Sequence, residues 1–208
     1  MAIRVNSQGG VEVKAPKKIS REFVDRFVAS KILWIERQQK RIWEMQAAKK
    51  YFVEGERFLF LGNEYPLVVT EGFRQKLAFT GQVFEISKLK LSFARLLFAS
   101  FYKQQAQIML SKKMREYAAL MGVSPKKMRI TSATTRWGSC SNAGTVNFSY
   151  RLILTPETII NYVVVHELAH LTHHDHSKNF WQEVEKFYPH YKQARAWLKL
   201  HSLQIPEL

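Results

Sequence analysis

Residues 166–170 read His166-Glu167-Leu168-Ala169-His170, and a further histidine, His176, follows after five residues. On an α-helix positions i and i+4 share a face, so His166 and His170 can grip one ion from adjacent turns. Glu167 lies about 100° around the helix from His166. From there its carboxylate reaches a water on the ion without being a ligand itself. Neutral imidazoles suit Zn²⁺, and three protein ligands with an open fourth position make a catalytic rather than a structural site. The chemistry this pattern can run is hydrolysis by an activated water, with Zn²⁺ as cofactor and Glu167 as base.

The third ligand needs its own argument. In an unbroken helix His176 would lie about 240° around from His170, facing away from the ion. The helix is therefore expected to end, and the chain to fold back, between Leu171 and Asp175. His and Asp tolerate left-handed backbone better than most residues, so His173, His174 or Asp175 is expected to make that turn. Ser177 then caps a second helix carrying Phe180, Trp181 and Val184. His176 stands first as third ligand, because three histidines are a known catalytic zinc set; Asp175, Glu183 and Glu185 compete with it.

Several elements must position these residues. Thr155 is expected to cap a helix that begins at Pro156 and runs through Ile159, Ile160, Tyr162, Val163, Val164 and Val165 into the histidine motif. It is apolar nearly all round, which predicts a buried central helix. Strands are expected over residues 128–131, 134–140 and 145–149, with a turn at 141–144, and a closing helix over 191–201. Upstream, residues 91–120 carry a long helical pattern ending at Gly122. Residues 57–87 read as a small antiparallel meander with turns at Gly62-Asn63, Glu71-Gly72 and Thr80-Gly81. The N-terminus reads as a hairpin followed by one long helix that Ser20 caps and that continues to about Ile42. The expected division is a β-rich N-terminal lobe over 1–90, with its soft boundary near 88–90, and a catalytic part over 91–208. One continuous domain is the alternative.

Composition narrows the class. At 208 residues with 46% hydrophobic and 13% aromatic content, the chain can bury a sizeable core. One cysteine excludes a disulfide framework within the chain. The first residues show no apolar signal core, and no apolar run approaches the ~20 residues a membrane span needs. A soluble, cytoplasmic protein without membrane association is expected. The net charge of +15 attracts anions. The basic residues are scattered, as at Arg37, Lys40, Arg41, Lys126, Lys127 and Arg129, so any attraction to nucleic acid is expected to be non-specific.

Taken together the chain resembles the YgjP-like metallopeptidases, relatives of the SprT-like and WLM zinc peptidases. The resemblance rests on Arg136-Trp137-Gly138-Ser139-Cys140-Ser141, Asn147, Arg151-Leu152, Pro156, residues 163–171, His176-Ser177, Phe180-Trp181 and Pro189. It runs most clearly from Met128 to Leu198. It implies an α+β, zincin-like metallopeptidase fold with an antiparallel sheet and a buried helix bearing the histidine motif. It implies His166, His170 and His176 as zinc ligands and Glu167 as catalytic base. The spacing also matches metzincins, but His173 occupies their turn glycine and no Met-turn is identifiable.

The strand from Arg136 to Cys140 is expected to border the cleft and pair with an extended peptide or protein substrate. Arg136, Trp137, Ser139 and Arg151 are the candidate substrate-binding residues, with a structural ion-pair role as the alternative for both arginines. Cys140 reads as a small core residue, since no base is indicated for it. Two rival functions stand beside the peptidase. One is pyrophosphatase action on a nucleoside triphosphate, UTP, which the resemblance also implies and the charge suits. The other is a nucleic-acid-binding protein with a vestigial zinc site. An intact Glu167 favours an enzyme.

Overall fold

Asn6 closes the first turn of the chain. Its side chain accepts hydrogen bonds from the backbone N–H groups of Gln8 (3.0 Å) and Gly10 (2.8 Å). Gly9 takes a φ of +82°, which a side chain disfavours. The hairpin so formed pairs β1 (Ala2–Val5) antiparallel with β2 (Val11–Lys14). After it the expected single helix is two, α1 (Arg21–Ala29) and α2 (Ile32–Ala47). Ser20 caps α1 through the Phe23 N–H. Ser30 ends it, its hydroxyl donating back to the Phe27 carbonyl at 2.7 Å, a local bond that competes with continued helix. From α2, Gln39 and Gln46 donate to the carbonyls of Gly9 and Ser7, both at 2.7 Å. The structure, a computed structural model, describes residues 1–47, 49–72 and 76–206. It divides into two compact units, Met1–Lys49 and Lys50–Leu208.

In the second unit β3 (Arg57–Phe60), β4 (Asn63–Thr70), β5 (Ala78–Phe79) and β6 (Phe84–Ser87) form one sheet in the order β3-β4-β6-β5. β4 and β6 run parallel, so this is not the expected antiparallel meander. Alternating burial marks a strand but carries no direction, and β5 lies outside β6 as its antiparallel partner. The sheet packs on α3 (Ala94–Met121), which buries Ala94, Phe98, Tyr102, Ala106 and Leu110 along one ridge of four-residue spacing. Phe98 stacks on Phe58 with ring centroids 4.2 Å apart, and the Tyr102 hydroxyl donates to the Leu59 carbonyl at 2.8 Å. Each such side chain removed from water contributes about 1.5–3 kcal/mol. This shared core explains why the units divide at Lys49 and Lys50 and not near 88–90. The sheet belongs with the helix that follows it, and the N-terminal unit carries two helices and one hairpin.

α3 ends at Gly122, whose φ of +67° makes the left-handed cap. A second sheet follows, from β7 (Lys127–Thr131), β8 (Gly138–Cys140) and β9 (Thr145–Ser149), in the order β7-β9-β8. β7 pairs parallel and β8 antiparallel with β9, so the sheet is mixed where an antiparallel one was expected. β8 is also shorter than the expected 134–140, because the Thr134 carbonyl accepts from the Arg151 guanidinium at 2.8 Å. Val146 and Phe148 of β9 are buried, and the register sets Cys140 and Gly138 opposite them on that face. Ser139 pairs with Asn147 on the other face.

From β9 the chain passes through a short 3-10 turn, Tyr150–Leu154, into α4 (Glu157–Ala169). Pro156 stands at the N-cap, and the Thr155 hydroxyl donates to the Leu152 carbonyl and not into α4. Ile159, Ile160, Val163, Val164, Val165 and Leu168 are all buried, as the apolar run predicts. α5 (Lys178–Phe187) and α6 (Tyr191–His201) close the chain over it.

Candidate metal centre and active site

α4 carries His166 in its last full turn and ends with His170 as its C-cap. The chain then turns tightly. Leu171 N–H donates to the Leu168 carbonyl, and the N–H groups of Thr172 and His173 both donate to the Ala169 carbonyl. No residue of this turn adopts the left-handed backbone expected of His173, His174 or Asp175. The described non-glycine residues with positive φ are Phe52 and Leu61. Successive short backbone bonds reverse the chain, so no left-handed residue is needed. Asp175 Oδ1 accepts from the Ser177 N–H at 3.1 Å, and Ser177 caps α5 through the Phe180 N–H, as expected.

This fold-back brings His176 to His166, with their Nε2 atoms 3.3 Å apart. One ring nitrogen from each of His166, His170 and His176 lies within 4.8 Å of the others. Tetrahedral ligands at about 2.0–2.1 Å from a zinc ion stand about 3.3 Å apart, so the His166–His176 separation fits such an ion. The outer nitrogens are held as well. His170 Nδ1 bonds the His173 carbonyl at 3.0 Å, and His166 Nδ1 faces the Tyr162 hydroxyl at 3.4 Å. Among the described residues Asp175, Glu183 and Glu185 stand outside this cluster. Asp175 accepts from the N–H of Ser177, the cap of α5, and Glu185 lies 4.0 Å from Lys192.

An aromatic wall from α5 and α6 holds the imidazoles. Phe180 stacks on His170 (centroids 4.4 Å), Trp181 on His176 (5.7 Å) and Tyr191 on Trp181 (5.3 Å), with the Arg195 guanidinium 4.3 Å over the Trp181 ring. Burial, and then the neighbouring His170 and His176, push the His166 pKa down to about 3. Burial also lowers His170, against its bond to the His173 carbonyl. Both imidazoles are therefore neutral at ordinary pH, the form that binds a metal ion. The sequence signal for Tyr162 was its place four residues before His166. Trp181, Tyr191 and Arg195 could not be assigned to the site from spacing, because they reach it only through helix packing.

Glu167 is buried, and burial pushes its carboxyl up to about 8 while Arg136 pulls the other way. It rests against the bare backbone of Gly138 in β8. A cleft of about 340 Å³ runs along this junction, and Arg136, Ser139, Cys140, His166, Glu167 and His176 are among its walls. The Cys140 thiol is pushed up to about 11 by burial and by Glu167, so it is a wall and not a thiolate nucleophile.

The four candidate substrate residues divide. Arg136 and Ser139 line the cleft. Trp137 and Arg151 do not. Arg151 is buried, and its guanidinium donates to the carbonyls of Thr134, Ile205 and Ser202 and lies 5.2 Å from the Trp137 ring centroid. It supports the loop before β8, and Trp137 packs against it. Backbone direction in β8 is also set. Ser149 N–H donates to the Trp137 carbonyl and Ser141 N–H to that of Thr145. By antiparallel alternation, Ser139 shares this orientation, and the N–H and C=O groups of Gly138 and Cys140 point to the free edge of the sheet.

Comparison with known families gives the class of the chain, that of the metallopeptidases. The chain belongs to the YgjP-like family, described as a metallopeptidase domain, which matches residues 1–201. Among solved structures it is similar to the metallopeptidase zymogen abylysin of Pyrococcus abyssi. The match has 25% sequence identity and a TM-score of 0.42, and covers 48% of this chain and 99% of that one. No curated protein matches the chain. Among the described residues, no helix is long and apolar enough to cross a membrane.

Proposed function

We propose that the chain is a zinc-dependent, zincin-like peptidase with His166, His170 and His176 as metal ligands and Glu167 as catalytic base. The observation that carries this is the convergence of three imidazoles within 4.8 Å, on the same cleft as one buried carboxyl. Zn²⁺ held there would supply a Lewis acid for the scissile carbonyl and a water of lowered pKa. The chain's own residues do the rest. Glu167 takes a proton from the attacking water and returns it to the leaving amine nitrogen. Tyr162 and the His173 carbonyl hold the imidazoles in the tautomer that leaves their inner nitrogens free. The edge of β8, through Gly138 and Cys140, hydrogen-bonds an extended peptide and lays its carbonyl across the cleft. Arg136 stands where it can meet developing negative charge.

The test is Glu167→Gln. The variant is expected to bind one zinc per chain and to lose peptide hydrolysis by at least about 10²-fold, the lower end for a lost general base. Hydrolysis near the wild-type level would overturn the reading.

A further inference from the structure

The edge strand separates two hollows. One is the cleft already described. The other, of about 210 Å³, lies on the opposite face of the sheet, and its lining includes Thr131, Arg136, Ser139, Asn147 and Ser149. Gly138 and Ser139 form the partition, and Arg136 reaches both sides.

The lining of this second hollow is rich in donors. Among the described residues no carboxylate lines it. Arg136 takes no part in the described ion pairs. Asn147 Nδ2 donates to Ser139 Oγ at 3.2 Å, so the Ser139 proton and the second amide proton of Asn147 are left to donate elsewhere. The Thr131 and Ser149 hydroxyls are already committed to the carbonyls of Phe148 and Ala133. What remains is a guanidinium, a hydroxyl and an amide, all offering protons. That set matches a carboxylate.

The strand register says which part of a substrate would reach it. A peptide paired with the free edge of β8 alternates its side chains between the two faces of the sheet. Residues opposite Gly138 and Cys140 face Glu167 and the imidazoles. The residue opposite Ser139 shares the face of Ser139 and Asn147. We infer that this outer hollow is a specificity pocket for an acidic side chain of the substrate, carried by the residue opposite Ser139. The inference rests on the peptidase reading above, and adds to it a preference for peptides with Asp or Glu at one position near the cleaved bond.

The experiment separates binding from cleavage. Zinc-loaded Glu167→Gln protein is titrated with labelled peptides that differ only in carrying Glu, Gln or Lys at a single position, with that position walked along the peptide. At one position the Glu peptide is expected to bind about tenfold more tightly than the Gln peptide, as one charge-assisted pair would give. Adding Arg136→Gln is expected to erase the difference. Adding Lys127→Gln, which removes the same charge from β7, is expected to leave it. A difference under twofold at every position, no binding of any peptide, or equal loss in both charge variants would overturn the pocket. Wild-type hydrolysis of the same peptides is measured in parallel. Zinc-dependent cleavage without acidic preference would sink the pocket alone, whereas no cleavage of any peptide would sink the peptidase reading.

Discussion

Gly138 and Glu167 leave no room for a side chain between them: a β-carbon on Gly138 would stand 2.5 Å from Oε1 of Glu167 and 2.6 Å from its Cγ. The notch in β8 is the seat of the carboxyl. Gly138→Ala must therefore displace the far end of Glu167, the cheapest neighbour to move. The variant is expected to fold and to bind zinc, yet to lose about 10²-fold or more in hydrolysis, because a displaced base loses its alignment. Parallel zinc analysis and peptide assay check this. Full activity in Gly138→Ala would show that Glu167 works from another position.

The Tyr162 hydroxyl is the partner of the outer nitrogen of His166. Such supports set tautomer and ring orientation, and losing one typically costs 10–100-fold in metal affinity. Tyr162→Phe keeps the packing and removes only the hydroxyl. Its zinc affinity, measured by competition with a chelator, is expected to fall about tenfold. His176→Ala is expected to fall much further. Full zinc occupancy in His176→Ala would move the third ligand to Asp175 or Glu183.

In the metal-free protein His166 is expected to contribute stability that is lost on acidification. The folded-state pKa of His166 is lowered to about 3 from an ordinary 6.5. Below pH 6.5 the unfolded chain takes up a proton at this group that the folded chain resists, so its contribution to stability falls as pH drops from 6.5 towards 3. His170 acts in the same direction. Glu167, its carboxyl pushed up to about 8 in the folded chain, acts in the opposite sense over the same range, so the check is a difference: in thermal melts of chelator-treated protein from pH 6.5 to 5, the wild type should lose stability relative to His166→Leu as pH falls. The same slope in both proteins would assign the effect to other groups.

Arg151 ties the loop before β8 to residues near the C-terminal end of the chain. Replacing it with Met keeps much of the packing but strips a donor from the buried Ile205 carbonyl, at about 1–3 kcal/mol, and from the part-buried carbonyls of Thr134 and Ser202, at less. Arg151→Met is expected to lose about 2–4 kcal/mol of stability in denaturant titrations while keeping its zinc. A change in substrate affinity with stability untouched would return Arg151 to the substrate-binding set.

How much of this was legible beforehand depends on range. The His166–His170 pair, the place of Glu167 beside it, the Ser177 cap and the Gly122 stop were readable because each depends on residues within about one helical turn. The buried character of α4 was readable from its unbroken apolar surface, and the need for a fold-back before His176 followed from helical geometry alone. Strand direction was not readable. Alternation at period two looks the same in parallel and antiparallel pairs, so the parallel neighbours β4 and β6, and β7 and β9, emerged only from the assembled sheets. The fate of the two arginines was undecided for the same reason of distance. Arg136 and Arg151 are alike in sequence, and only the packing of residues 202 and 205 around one guanidinium buries it while the other stays beside the cleft. The seat of Glu167 needs α4 and β8, nearly thirty residues apart, to touch, and a missing side chain at Gly138 has no local signature. The amino-acid order thus determined which groups could do the chemistry, through short-range helical geometry. Tertiary packing alone decided which of them meet, what shields them from water, and which face of the edge strand is left open to a substrate.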